Sequence, residues 1–256
     1  LPIFFSYSQD YTKPQYNPLD QDVLLDDAID NLETEEEKED LRRNSVTKAV
    51  TKSVNLTNVK VDYSGNKPRI YDPANFSVSY AYNETSDLDP ETERDFTKQH
   101  QGSFIYDFNT TPKPWEPFKN MKGLNKPIFK IIQDFNLFYL PSRIGFSVNI
   151  ARNYSETLKR DLTGTMETPT SWKDNTLLSY IKDFNWDRKF DFKYDLTNNL
   201  KFSFNSAANS RIDETKYAPV NREFFPDEYE CWKDTVMQSL KVGGRPLSYQ
   251  QSFTAS

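Results

Sequence analysis

The feature of this sequence that most restricts its fold is a strict alternation of apolar and polar residues between Asp183 and Asn209. The even positions carry the apolar residues Phe184, Trp186, Phe190, Phe192, Tyr194 and Leu196, whereas Asp, Asn or Lys occupies every odd position from Asp183 to Asp195. Successive side chains of a β-strand point to opposite sides of a sheet. A period of two therefore predicts a strand with one apolar and one polar face.

The alternation continues in phase beyond residues 197–199. The apolar side is formed there by Leu200, Phe202 and Phe204, and the polar side by Lys201, Ser203 and Asn205. Two such strands separated by a short polar segment predict a hairpin. Since asparagine tolerates the positive φ of tight primed turns, we expect Asn198 and Asn199 to form the turn.

Three other segments show the same alternation, namely Phe76–Asn83, Ser103–Asn109 and Arg143–Ile150. The first two could pair as a second hairpin. The charged segment 84–101 between them is expected to be a long loop, of the kind that barrels carry on one side of the membrane. Weaker strand candidates lie near Leu56–Tyr63 and at both ends of the chain.

Helices are expected to interrupt these strands. The segment from about 20–53 lacks proline and glycine and has apolar residues at helical spacing, which predicts one or two helices. Glu39 and Arg43 are spaced there for an i,i+4 ion pair. A second helical insertion is predicted at about 227–241, and a proline-rich loop at 110–127.

Composition agrees with a sheet and excludes some partners. The chain is 36% hydrophobic but 15% aromatic, with 19 Phe and 15 Tyr, and aromatic residues are enriched in strands. A net charge of -6 argues against a nucleic-acid partner. Although the sequence has no apolar run long enough for a transmembrane helix, a transmembrane strand needs only about 9–11 residues.

The residues that carry most catalytic and metal chemistry are scarce. Cys231 is the single cysteine and His100 the single histidine, which excludes an internal disulfide and a structural zinc site. We expect Cys231 to pack within a helix and His100 to lie on the surface of the charged loop. Acidic pairs such as Asp187 and Asp191 are more typical of solvated faces. The sequence therefore predicts no enzyme, no catalytic residue, no cofactor and no metal.

The alternating strands fit two environments. A soluble sandwich also alternates, because one face meets a core and the other meets water. Long strands, an apolar side rich in Phe, Tyr and Trp, and alternating charges on the other side favour an antiparallel outer-membrane β-barrel. Because both ends of the chain are strand-like, residues 1–256 are interpreted as a single segment of a larger barrel with inserted helices and long loops.

This interpretation assigns the two faces. The side chains expected to line a water-filled lumen are Lys189, Asp191, Lys193, Asp195, Lys201, Ser203 and Asn205. The side chains expected to face membrane lipid are Phe190, Phe192, Tyr194, Phe202 and Phe204. A lining with only one sign of charge would retain cargo of the opposite charge, and a lining with both signs would not.

Particular segments also resemble a known family. Residues 134–143, with the strand that follows them and residues 152–156, are similar to a segment of the SprA/Sov family, the outer-membrane translocon of the Type IX secretion system. Residues 16–20, 54–59 and 75–84 share the likeness.

The resemblance implies a very large single-chain barrel in the outer membrane of a Gram-negative bacterium. Such a channel exports folded or partly folded cargo proteins from the periplasm and is associated with gliding motility or virulence-factor export. The implied partners are the remainder of the same barrel chain, a companion outer-membrane barrel that receives cargo, a periplasmic plug protein and the secreted cargo. Two alternatives stay open: a plugged outer-membrane uptake transporter, and a soluble β-sandwich surface or adhesion module.

Overall fold

The computed structural model describes residues 3–61, 69–119, 134–161, 177–215 and 226–256. This described part of the chain is mainly β, with 59% strand in ten strands, most of them in one antiparallel sheet. The strands are β1 (Ile3–Thr12), β2 (Tyr16–Asn17), β3 (Asp20–Leu24), β4 (Thr47–Lys60), β5 (Phe76–Leu88), β6 (Thr92–Asn109), β7 (Arg143–Lys159), β8 (Leu178–Asp195), β9 (Lys201–Arg211) and β10 (Arg245–Ala255). The helices are α1 (Leu25–Asp30), α2 (Glu35–Ser45) and α3 (Pro226–Lys241), with a 3₁₀ turn at Pro73–Asn75.

Eight strands form the main sheet in the order β1-β4-β5-β6-β7-β8-β9-β10, while β2 and β3 pair separately. All neighbours are antiparallel, so from β4 onward the sheet is a meander. In the described part of the chain β1 and β10 are the two edges, and every residue of both strands is exposed. The sheet is therefore open and is not a closed barrel.

Pairing between the long strands places residues of similar polarity on the same face of the sheet. In the β7–β8 ladder Ile144 lies opposite Phe192, and Ser147 lies opposite Lys189. The β6–β7 and β8–β9 ladders keep this parity, so even-numbered residues of these four strands share one face and odd-numbered residues share the other. At 18 residues, β6 and β8 are far longer than the usual strand of about 5–6 residues.

The hairpin predicted from Phe76–Asn83 and Ser103–Asn109 is confirmed, because β5 pairs with β6. The expected loop at 84–101 is wrong. Only residues 89–91 separate the two strands, and the Asp89 carboxylate accepts hydrogen bonds from the backbone N–H groups of Glu91 and Thr92 at 2.8 and 2.6 Å. The charged residues of this segment pair across the ladder instead of entering solvent as a loop.

The helical insertion expected at about 20–53 is shorter in the structure. Thr34 caps α2 with a capping box, but residues 20–24 form β3 and residues from Thr47 onward form β4. Val and Thr residues recur after residue 45, and β-branched side chains favour strands over helices. Arg43 pairs with Asp40 at 2.6 Å, so the expected pair with Glu39 is wrong.

The turn between β8 and β9 also differs from the prediction. Apart from two glycines, Asn58 is the one residue with a positive φ in the described ranges, so Asn198 and Asn199 do not form a primed turn. The Thr197 hydroxyl oxygen instead accepts hydrogen bonds from the N–H groups of Asn199 and Leu200 at 3.3 and 2.9 Å. Asn198 and Asn199 are the two residues of the turn, as predicted, because Thr197 and Leu200 exchange backbone hydrogen bonds around them; only the primed geometry is wrong.

The remaining predicted elements lie close to their expected positions. Helix α3 begins one residue before the predicted 227–241 segment and ends at Lys241. Within the 110–127 segment, residues 110–119 contain only an isolated bridge between Trp115 and Leu137, and residues 120–127 lie outside the described ranges. Among the helices that the structure describes, none combines the length and the apolar character needed to cross a bilayer.

Candidate functional site

The seven residues predicted to line a lumen lie together on one face of β8 and β9. Asp191 is the register partner of Asn205, Lys193 of Ser203, and Asp195 of Lys201. Lys189, the seventh, lies on the same face opposite Ser147 of β7. We call this surface the polar face.

The polar face extends across the sheet with uncharged polar side chains and scattered charges of both signs. Its uncharged residues on β5, β6 and β7 include Ser77, Ser79, Asn83, Thr97, Gln99, Gln101, Ser103, Ser147, Asn149 and Asn153. Arg143 places Nε 3.6 Å from the Asp107 carboxylate. Ile105 and Ile181 also lie on this face and are exposed. The surface is polar and has no single sign of charge.

The five residues predicted to face lipid lie on the opposite side of the same two strands. Phe192 is the register partner of Phe204, and Tyr194 of Phe202, while the Phe190 and Phe204 rings are 6.0 Å apart. Neighbouring strands add to this cluster. We call the combined surface the aromatic band, formed by Val78, Tyr80, Phe104, Tyr106, Ile144, Phe146, Val148, Ile150, Trp186, Phe190, Phe192, Tyr194, Phe202, Phe204, Tyr249 and Phe253.

The aromatic band is not covered by a second sheet in the described residues. Phe104, Phe146 and Phe253 are 38%, 37% and 67% exposed. The other sheet of the structure has only two strands, β2 and β3. Contiguous apolar surfaces of this extent are rare on soluble monomers and mark an interface with lipid or protein.

The same face changes character along the strands. Beyond the pair of His100 and Arg152, charged side chains alternate with aromatic ones on this face, with Lys98 opposite Tyr154 and Glu156 opposite Phe96. We call this surface the charged half, formed by Lys52, Glu84, Arg94, Lys98, Arg152, Glu156 and Lys182. The sheet thus has one polar face, and a second face divided into an aromatic band and a charged half.

Glu84 is the centre of one charge cluster in the charged half. It receives hydrogen bonds from Lys52 at 2.9 Å and from the Tyr82 hydroxyl at 2.5 Å, and Lys98 lies 3.8 Å away. Burial acts to raise the pKa of Glu84, but these hydrogen bonds and the two positive charges outweigh it, so its pKa lies below the ordinary value. Glu84 is therefore held as a carboxylate.

Glu156 and Glu214 anchor two further clusters. Glu156 is fully buried, pairs with Arg94 and accepts a hydrogen bond from the Tyr154 hydroxyl at 2.6 Å. Burial and the Glu156 charge raise the pKa of Tyr154. The Glu214 carboxylate binds Arg152 at 2.7 Å and the Trp232 indole of α3 at 2.7 Å. These contacts hold α3 against the charged half.

Sequence reasoning missed the charged half because it treated most of 84–101 as a loop. A usable signal was present, since Glu84 and Lys98 stand at equal sequence distances on either side of Glu91. His100 lies within β6 rather than in a loop, with its Nδ1 2.9 Å from the Tyr80 hydroxyl. Cys231 is exposed, so its expected packing role is wrong.

The described strands of the main sheet form a single layer with two different faces. In the ranges that the structure describes, no three His, Cys, Asp or Glu residues are grouped to hold a metal ion. What the sheet does provide is a long single layer with water-compatible side chains on one side and an exposed aromatic surface on the other. No protein-family model matches the chain, and no curated protein matches it.

Proposed function

We propose that this chain forms part of the wall of a transmembrane β-barrel in the outer membrane of a Gram-negative bacterium. The aromatic band faces lipid, and the polar face borders a water-filled lumen. The observation that carries the proposal is an aromatic band over which the described residues place no second sheet, on one face of a single-layer antiparallel sheet whose other face is polar.

The length of the aromatic band fits a bilayer. On β8 it runs from Trp186 to Tyr194, which corresponds to the roughly 9–11 tilted residues that cross the hydrocarbon core. The charged half then lies beyond the hydrocarbon, where ion pairs such as Arg152 with Glu214 are compatible with water. Trp186 occupies the boundary, the depth at which tryptophan is enriched.

The two open edges of the sheet indicate that the barrel contains further strands. Each unpaired backbone group exposed to hydrocarbon costs several kcal/mol, so an open sheet cannot cross a bilayer. In the membrane, β1 and β10 must therefore pair with further strands. The remainder of the same barrel chain is the partner that we propose.

We further propose that this barrel conducts protein, as the resemblance to the SprA/Sov translocon of Type IX secretion implies. The resembling segments coincide with wall elements: residues 75–84 begin β5, and residues 134–143 lead into β7. A lining of Ser, Thr, Asn and Gln with charges of both signs suits the passage of cargo that differs in charge. A companion barrel, a periplasmic plug and the exported cargo are the partners under this proposal.

The two alternative functions would require features beyond this wall. A plugged uptake transporter needs a plug domain inside its lumen. A β-sandwich module needs a second sheet over the aromatic band, and the described residues supply none.

A charge placed on the aromatic band tests the proposal. Phe192→Arg near the bilayer midplane should cost roughly 2–4 kcal/mol and reduce assembly into the outer membrane. Ser203→Arg is the matched control, because Ser203 lies on the polar face beside Phe202. Membrane fractionation and protease resistance measure assembly. A Phe192→Arg protein that stays folded and water-soluble without detergent would overturn the proposal.

A further inference from the structure

Arg188 interrupts the aromatic band. It lies on β8 between Trp186 and Phe190, on their face, with Val148 and Ala208 as its register partners. Its neighbour Lys189 lies on the polar face. A cation on this surface is costly in hydrocarbon unless its charged group reaches the boundary or finds an anion.

The Arg188 guanidinium points along the strand toward the charged half. Its Nη2 donates hydrogen bonds to the Ser210 hydroxyl at 2.8 Å and to the Gly243 carbonyl at 3.1 Å. Ser210 is the register partner of Trp186, one step closer to the charged half, and the guanidinium carbon lies 4.2 Å from the Trp186 ring centroid. The charged group therefore reaches the membrane boundary while its stem stays in the band.

The guanidinium keeps donors that the protein does not use. Both of its hydrogen bonds come from Nη2, and Nε is shielded from solvent with no acceptor in the part of the chain that is described. A shielded donor without an acceptor is unfavourable, and in most proteins an acceptor is present. Nη1 makes no hydrogen bond in the described ranges and is not shielded in this way, so it is the donor that an anion beside Arg188 would meet.

A groove adjoins Arg188 on the same face. Its volume is about 310 Å³, and besides Arg188 it is lined by Phe146, Lys189, Phe190, Ser206, Ala208, Ser210, Pro246, Ser248 and Tyr249. The small residues of β9 leave space at positions where β7, β8 and β10 carry rings. The groove therefore has apolar walls and a cation at its side.

We propose that this groove binds an anionic membrane lipid, with its phosphate at Arg188 and an acyl chain along β9. This inference rests on the proposed function, because it requires the aromatic band to face lipid. The planar guanidinium suits a phosphate group, which can accept several N–H donors at once. The contact with Gly243 uses Nη2 alone, so anchoring the segment between α3 and β10 leaves the other donors available.

The proposal is tested by lipid retention in the detergent-purified protein. Native mass spectrometry would compare phosphatidylglycerol, which is anionic, with phosphatidylcholine, whose head group carries no net charge. The unaltered protein should retain phosphatidylglycerol, and Arg188→Gln should retain it about tenfold less. Lys193→Gln is the matched control, because Lys193 lies on the polar face and does not line the groove, so this variant should retain the lipid. Equal retention by Arg188→Gln and the unaltered protein would overturn the inference.

A second variant separates binding from folding. Ala208→Leu fills the groove without removing Arg188 or its contact with Gly243, and it should also reduce retention of phosphatidylglycerol. If Ala208→Leu leaves the retention of phosphatidylglycerol unchanged, a bound lipid chain is excluded. The same holds if inorganic phosphate abolishes the retention by competition. Insertion into liposomes is scored in parallel. If the unaltered protein inserts normally and neither variant changes lipid retention, only the lipid site is contradicted. If the unaltered protein fails to insert, the proposed function is contradicted.

Discussion

Glu84 and Lys98 are register partners across the β5–β6 ladder, and Nζ of the lysine lies 3.8 Å from a carboxylate oxygen of the glutamate. Lys52 approaches the same carboxylate from β4 on the other side. Three adjacent strands are thus linked by one carboxylate at a position where the sequence indicated a loop. Cross-strand pairs of opposite charge stabilise a sheet modestly, and the neighbouring aromatic rings add to this one, since Lys98 lies 4.7 Å from the Phe96 ring centroid.

The charge of Glu84 should make the stability of the sheet depend on pH. Because its pKa in the folded protein lies below the ordinary value of 4.5, the carboxylate contributes stability above that pH and loses it as the pH falls through the folded-state pKa. Glu84→Gln should therefore reduce the free energy of unfolding by up to about 1 kcal/mol at neutral pH, and the difference should shrink in acid. Denaturant unfolding followed by tryptophan fluorescence measures it. Glu93→Gln, at an exposed residue of β6, is the control; a pH-independent difference would contradict the prediction.

The alternation of Asp183–Asn209 predicted β8, β9 and the residues of each face, because period-two patterning is a local property of the chain. It could not predict the ion pairs of the charged half. Glu84 and Lys98 become neighbours only once the strands pair. Where both faces of a strand carry polar residues, the alternation of apolar and polar residues that identifies a strand is missing. The β8–β9 turn shows the same limit, since the Asn198 N–H donates to the Asn136 side chain 62 residues away, at 2.6 Å.

Removing the cation beside a buried carboxylate should destabilise the β6–β7 pair. Arg94→Met leaves the fully buried Glu156 with the Tyr154 hydroxyl but without its charge partner. Fully buried pairs cost about 3–5 kcal/mol when broken, and because Arg94 is partly exposed we expect about 2 kcal/mol. The midpoint of denaturant unfolding measures the loss.

The double variant Arg94→Met with Glu156→Gln is the matched control for that experiment. It also removes the stranded charge and should recover part of the lost stability. A double variant that is less stable than Arg94→Met alone would show that the two side chains contribute independently.

Thiol labelling should distinguish the two faces of β9 directly. Phe202 and Ser203 are consecutive residues on opposite faces, so Phe202→Cys and Ser203→Cys differ chiefly in what each side chain contacts. Both are placed in a Cys231→Ser background, because the native thiol is exposed and would react. If the polar face borders water and the aromatic band borders lipid, a water-soluble maleimide should label the membrane-assembled Ser203→Cys protein rapidly. It should label Phe202→Cys slowly, since thiolate formation and reagent access are both suppressed in hydrocarbon.

Detergent unfolding should make the two rates equal, which controls for intrinsic reactivity. Equal rates in the assembled protein would mean that water reaches both faces, and the aromatic band would then need a protein partner instead of lipid.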